Sequence, residues 1–479
     1  MGSMDARISL PVTLPVDNPT TSYWQDPPDA EVADFRTAET VPKTADTVII
    51  GSGITGVSVA WGLLNSGEKE KVVLLEARQA VSGATGRNGG HTKTGSYRTF
   101  LTNMASLGVS EAVKIARLEY NNMKDTQSFI RAHNIPCDLT CCDTVDVIYD
   151  RDQWIKALKS IEAMRKYMTD DLNGAAKYKI WSPDEVAEVF HCKGEKAFGA
   201  IGYEAGSLSA YKFVIGVLKM CLKKGLNLFT NTPAQSLKKD GDGMWLVETN
   251  RGILRAKRVV LATNGYTGYI HKKFQKVIVP LRGQITAHRP GLNMPTKGLP
   301  TTYSFVYNMG YEYMIPRPKG STFAGDIVIG GGLIKAPDEG TGQYGTTDDT
   351  TISPEISSYL RETTPRFFGK SWGPDHPDGR IRKEWTGIMG YSCDGLPFIG
   401  NVPGEKGLWI SASFQGHGMV LCLLCAKALV EKMTTDKKQD ETSKLDSWFP
   451  KSFWITEDRM KKKFEGKLHE MSTDLAAKL

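Results

Sequence analysis

The sequence predicts an α/β protein in two parts, one shaped to bind a nucleotide and one an α+β domain with an antiparallel sheet. Three observations predict it. Residues 47 to 50 form a short strand-like run, followed by Gly51, Gly53 and Gly56 and then by apolar residues at helical spacing. A second run, KVVLLEAR, ends in Glu76, 25 residues after Gly51. From 280 to 335 the pattern changes to TTYSFVYNMGYEYMIPRP and STFAGDIVIGGG, strands separated by Pro and Gly.

The glycines make the first element specific. G-x-G-x-x-G with a strand before it and a helix after it is the turn of a Rossmann-type domain. Gly51 allows the tight turn, Gly53 lets a pyrophosphate approach, and Gly56 lets helix and strand pack closely. Ile54 and Thr55 open the helix, whose N-terminus then faces the phosphates with its partial positive charge. Glu76, at the end of the second strand, accepts hydrogen bonds from ribose hydroxyls and repels a 2′-phosphate, which disfavours NADP. Ala77 and Arg78 follow it and are assigned to the same site.

Next comes GATGRNGG at 83 to 90, four glycines in eight residues. Each costs helix or strand stability, so bare backbone is needed there. A nicotinamide cofactor has no need of a second glycine loop at this point, whereas the ribityl chain and tricyclic ring of a flavin do. Gly83, Ala84, Gly89 and Gly90 are read as backbone laid against the ring, and Thr85, Arg87 and Asn88 as polar contacts to phosphate or ribityl oxygens. FAD is therefore the expected cofactor.

With these residues in place the chain resembles the FAD-dependent oxidoreductases of the D-amino-acid-oxidase superfamily, the group with glycine oxidase and monomeric sarcosine oxidase. SYW at 22 to 24 and GATGRNGGH are most similar to its γ-glutamylputrescine oxidoreductase-like branch. Further markers are IGYEAGSLSAYKF, RVVLATNGYT, VPLRGQI, WTGIMGYSCDGLPFIGN and FQGHGM, in that order between residues 201 and 419.

The resemblance implies a discontinuous FAD-binding domain, 45–139, 196–279 and 379–433, and a substrate domain from 140–195 and 280–378. An arm, 1–44, precedes them and a tail, 434–479, follows. It implies cofactor contacts at Ala234, Thr263, Asn264 and Gly265, and places Gly416, His417, Gly418 and Met419 at the flavin ring. For His417 a structural role capping the turn reads equally well, as does a plain turn role for Asp394, which the resemblance sets beside the ribityl and pyrimidine side. Two departures matter. Val420 stands where sarcosine-oxidase-like members have a substrate-carboxylate lysine, and Val328 where they have an oxygen-assisting lysine. The superfamily's covalent cysteine position falls at Gly387 or Ile388, so noncovalent FAD is expected, with a link through His91 left open.

The resemblance implies oxidation of a C–N bond in an amine. Hydride goes to flavin N5, an imine leaves, and O2 is reduced to H2O2. A neutral amine needs no general base for this, and no metal is called for. His91, Tyr307, Tyr313 and His417 are the candidates at the reacting centre, with Tyr303 and Tyr311 as further pocket aromatics. Alternation along a strand suggests that Tyr307, Tyr311 and Tyr313 share one face. Other readings are oxidative tailoring or cyclisation of an amino-acid-derived metabolite, an FAD hydroxylase needing NADPH, and flavin binding without catalysis.

Composition excludes other classes. Of 479 residues, 40% are hydrophobic and 24% charged, as in ordinary globular proteins, and this length suits two to four domains. The net charge of +7 is dispersed, with no basic run interleaved with aromatics, so no nucleic-acid partner is expected. The N-terminus lacks an apolar signal core, and the longest stretch without Asp, Glu, Lys or Arg, 407 to 426, holds Ser411, Gln415 and His417, so no membrane span is expected. Eight cysteines read as free thiols in a reducing compartment, Cys422 and Cys425 as core. The Gly-, Thr- and Asp-rich segment 336–352 reads as an exposed or mobile loop, and the charged chain after 433 as a surface tail. It ends in Ala477-Lys478-Leu479, an address of the S-K-L type, which predicts a peroxisomal import receptor as partner and the peroxisome as location, with the cytoplasm as alternative.

Overall fold

A computed structural model describes residues 3–67, 69–435 and 442–466. In chain order the strands are β1 Thr44–Ile50, β2 Val72–Leu75, β3 His91–Lys93, β4 Thr140–Ile148, β5 Lys179–Trp181 and β6 Gly199–Ser207. Then come β7 Asn227–Phe229, β8 Ala234–Lys239, β9 Trp245–Thr249, β10 Gly252–Leu261, β11 Ile278–His288 and β12 Thr302–Tyr307. The last are β13 Gly310–Pro316, β14 Ile327–Gly330, β15 Ile381–Ser392, β16 Phe398–Asn401 and β17 Leu408–Ala412.

One sheet has the order β16-β17-β10-β1-β2-β7, parallel from β17 to β7, with the β8–β9 hairpin attached to β10. Its strands are continuous apolar runs because both faces are covered: β2 and β17 are buried at every residue. The helix Ile54–Leu64 packs between the helices Ala210–Lys223 and Cys422–Thr435 on one face, with Val57, Leu63, Leu218 and Leu429 in a shared core. This is the predicted Rossmann-type part.

The second sheet runs β15-β11-β14-β13-β12-β4-β6-β3, antiparallel except where β4 and β12 pair in parallel. It draws on more of the chain than expected. β3, β6 and β15 all belong to it, although they fall in segments assigned to the FAD-binding domain, so the boundaries at 196 and 379 lie too early. Motif position marked those segments, whereas strand pairing places them.

Two other expectations are corrected. The segment 336–352 is anchored rather than loose: Tyr344 and Asp349 are buried against β11, β15 and Arg78 after β2. Beyond 433, Phe449, Phe453 and Phe464 are fully buried and Trp454 bridges Ile399, so this charged stretch is part of the fold as far as it is described. Ala477, Lys478 and Leu479 lie outside the described residues. Among the described residues no helix is long and apolar enough to cross a membrane, and no His, Cys, Asp and Glu group is placed to hold a metal.

Candidate active site

A cavity of about 420 Å³ runs from the glycine turn after β1 to the second sheet. Gly51 has φ +108°, and a Cβ there would lie 2.6 Å from the Ala262 carbonyl oxygen. Gly56 abuts the Gly51 carbonyl so closely that any side chain is excluded, which fixes helix against turn. Gly53 caps the helix without a side chain, and Ile54 N–H donates to Thr85 Oγ1 at 3.0 Å, tying the first glycine loop to the second. Gly53, Ile54 and Thr55 line the cavity, so the helix N-terminus opens onto it.

Glu76 stands at the end of β2 as the pattern requires. One carboxylate oxygen accepts from Ser52 N (3.0 Å) and Ser52 Oγ (2.6 Å), the other from Arg78 N (3.0 Å). A carboxylate has about four lone-pair sites, so capacity remains for hydroxyl donors in the cavity it lines. Ala77, Ala234 and Thr263 line the same end. Arg78 lines it too, but its guanidinium is committed elsewhere, bidentate to Asp349.

The second loop divides in two. Gly83, Ala84, Thr85, Arg87 and Asn88 line the cavity, and a Cβ on Gly83 would meet nothing within 4 Å, leaving open space for a ligand. Gly89 and Gly90 do not line it. Gly89 is pressed against the Tyr313 ring, and Gly90, at φ +74°, approaches the Leu208 carbonyl, so these two glycines serve packing between domains. Arg87 is likewise structural. Its guanidinium donates to Thr386 O (2.6 Å) and to Thr20, and lies 3.4 Å from Asp349. Burial draws its pKa down to about 10, opposed by Asp349. Asn88 latches the loop by donating to Thr85 O and accepting from Gly90 N.

At the far end, Asn264 Oδ1 accepts from Ser413 N and Phe414 N, holding the FQGHGM loop beside the cavity. Gly416, Gly418 and Met419 line it. The His417 side chain is not a cavity residue; it lies 3.5 Å from Glu119 and makes no hydrogen bond that caps the turn. Gly265 packs under the Met389 carbonyl rather than facing the cavity. Asp394 is not a cavity residue either: it pairs bidentately with Arg459 (2.7 and 3.1 Å), which its place before a turn gave no means to foresee.

Of the pocket candidates, Tyr307, Tyr311 and Tyr313 line the cavity and His91 and Tyr303 do not. Pairing across β12 and β13 sets Tyr311 and Tyr313 on one face with Val306 and Ser304, and Tyr307 on the other with Glu312, correcting the expectation of one shared face. Tyr303 is core, against Phe190 and Phe368. His91 is buried in the sheet, its Nε2 2.7 Å from Thr302 Oγ1, and burial holds it neutral, well below the ordinary 6.5. That position gives no support to a flavin link through His91. The sequence reading missed Asp349, Tyr266, Met389 and Tyr391. Alternation in WTGIMGYS carried a signal for the last two; the others depend on long-range packing.

These residues fit FAD. The two glycine loops leave a cradle, the acid stands at the ribose end, and the Tyr266 hydroxyl, buried in the wall, has no hydrogen-bond partner among the described residues. Parallel sheet, cradle and contiguous second-sheet pocket together define a flavin-dependent oxidoreductase. The chain belongs to the family described as DAO, FAD dependent oxidoreductase, which residues 46–432 match. It is 25% identical over 392 residues to the probable oxidoreductase OrdL of Rhizobium meliloti, covering 81% of this chain and 83% of that one. To γ-glutamylputrescine oxidoreductase of Escherichia coli it is 21% identical over 399 residues, covering 83% and 85%. Glycine oxidase from Geobacillus kaustophilus shares the fold, with a TM-score of 0.68 at 17% identity over 87% of this chain and 99% of that one.

Proposed function

We propose that the protein oxidises a C–N bond of a small-molecule amine to an imine, using noncovalent FAD and passing the electrons to O2 with release of H2O2. The observation that carries this reading is one cavity shared by the nucleotide cradle and a tyrosine-lined sheet face. FAD, when bound, supplies the two-electron acceptor. The protein's own residues supply position: Asn264 fixes the 413–414 backbone, and β11, β13 and β15 line the pocket. Among the described lining residues the one carboxylate is Glu76, at the nucleotide end, so the pocket offers no base and suits an amine that arrives neutral.

The named relatives support amine chemistry: one is called γ-glutamylputrescine oxidoreductase, another glycine oxidase. For location we propose the peroxisome, on the Ala477-Lys478-Leu479 terminus and the peroxide product. The test is a screen of amines and amino acids for anaerobic bleaching of the flavin, then for peroxide in air. Bleaching by NADPH alone selects a hydroxylase, and bleaching without peroxide selects a dehydrogenase.

A further inference from the structure

We propose that the substrate is an amine with an apolar or aromatic body and no carboxylate at the reacting end; this rests on the amine-oxidation reading above. The argument starts from strand register. Tyr313 pairs with Gly330, Gly330 with Ile285, and Ile285 with Trp385, one row across four strands. Two and four residues along, Gly283 pairs with Gly387 and Leu281 with Met389. Side chains alternate between faces, so Tyr311, Tyr313, Leu281, Ile285, Met389 and Tyr391 share one face. It is the face turned to the nucleotide-binding part, since Trp385 Nε1 donates to Arg87 O at 2.8 Å. All six line the cavity and none is charged.

Cations are present nearby, but none of them stands on this face. The cationic residues among the described lining are Arg78, Arg87 and Arg282. Arg78 and Arg87 close on Asp349. Arg282 projects from the opposite face of β11, where Nε donates to Gln343 Oε1 (2.8 Å) and Nη1 to Thr351 Oγ1 (2.9 Å) and Asp348 O (3.1 Å). Lys93 is ion-paired with Asp146 at 2.8 Å, and Arg98 stacks 3.9 Å from the Tyr311 ring centroid; neither is a lining residue. A carboxylate carried to the sheet face would leave water for six uncharged side chains, with Arg98 behind the Tyr311 ring rather than in the cavity, and an ion buried without a direct partner is costly. An aromatic or alkyl body meets tyrosine rings and methionine thioethers instead, which favour it.

The holoenzyme is tested with matched pairs, 2-phenylethylamine against phenylalanine and N-methyl-2-phenylethylamine against N-methylphenylalanine. Anaerobic loss of flavin absorbance at equal sub-saturating concentration is expected to be at least 100-fold faster with the member lacking the carboxylate. A readout without turnover is calorimetric titration with 2-phenylethanol and with phenylacetate, the alcohol binding at least ten-fold tighter. M389R sets a guanidinium on this face and should narrow or reverse both differences. Equal or faster reduction by the carboxylated members overturns the inference while amine oxidation stands. If no amine of any kind bleaches the flavin, the reaction reading fails and the inference with it.

Discussion

Arg78 and Asp349 form a buried bidentate pair, both N–O distances 3.0 Å, that ties the turn after Glu76 to a segment between two strands of the other sheet. Arg87 approaches the same carboxylate at 3.4 Å, so one acid balances two guanidiniums. Removing it leaves two buried cations uncompensated, the situation that costs about 3–5 kcal/mol. D349A is expected to lose stability of that order in urea melts and to release FAD on gel filtration. Wild-type stability with full cofactor retention would show that the pair is incidental.

The two helix-opening glycines should separate fold from cofactor. At Gly56 a Cβ would overlap the Gly51 carbonyl, which is backbone and has no room to move. At Gly53 the nearest atom is Thr85 Oγ1 at 3.1 Å, a side chain that can yield, on the cavity side. G56A is therefore expected to lower the melting temperature of the apoprotein itself. G53A should leave the apoprotein melting close to wild type while weakening FAD binding, read by titrating FAD into apoprotein and following its fluorescence. Equal effects of the two on the apoprotein would remove the distinction.

Much of this was legible in the sequence because it is local. A strand, three glycines at fixed spacing and an acid at the end of the next strand lie within 30 residues, and Gly51, Gly53, Glu76 and Thr85 all line one cavity. What escaped depends on partners far along the chain. Asp349 is separated from Arg78 by 271 residues, and composition alone made its segment look exposed. Asp394 reads as a turn residue until Arg459, 65 residues on, closes on it. Gly89 looked like a place for a ligand because bare backbone says only that something comes close; the something is Tyr313.

Glu312 gives a pH dependence of known sign. It is fully buried on β13, with Tyr307 donating to it at 2.6 Å and Tyr359 at 3.2 Å. Burial raises its pKa from the ordinary 4.5 to about 7, with both tyrosine hydrogen bonds pulling the other way. The folded protein then holds a proton that the unfolded chain has released, so stability falls as pH rises from about 4.5 to 7 and is constant beyond. A shift of this size amounts to about 3 kcal/mol. Urea melts at pH 5 and pH 8 are expected to show most of that loss in the wild type and to lack it in E312Q, which keeps the shape without the titration. The same slope in both proteins would assign the pH dependence to other groups.

The remaining prediction concerns the end of the chain. Phe464 is buried beside Ile8 and Tyr344, so the fold holds the chain at that point and 15 residues follow it before the terminus. The proposed address is read on Ala477-Lys478-Leu479, which has the small–basic–leucine form. The proposed peroxide product also fits a compartment that destroys it. With a fluorescent protein on its N-terminus, the intact chain is expected to collect in peroxisomes of a eukaryotic cell, and the same fusion lacking Leu479 to remain in the cytosol. A diffuse signal from the intact fusion would refute the address, and the support that peroxide handling lends to an oxidase over a dehydrogenase would go with it.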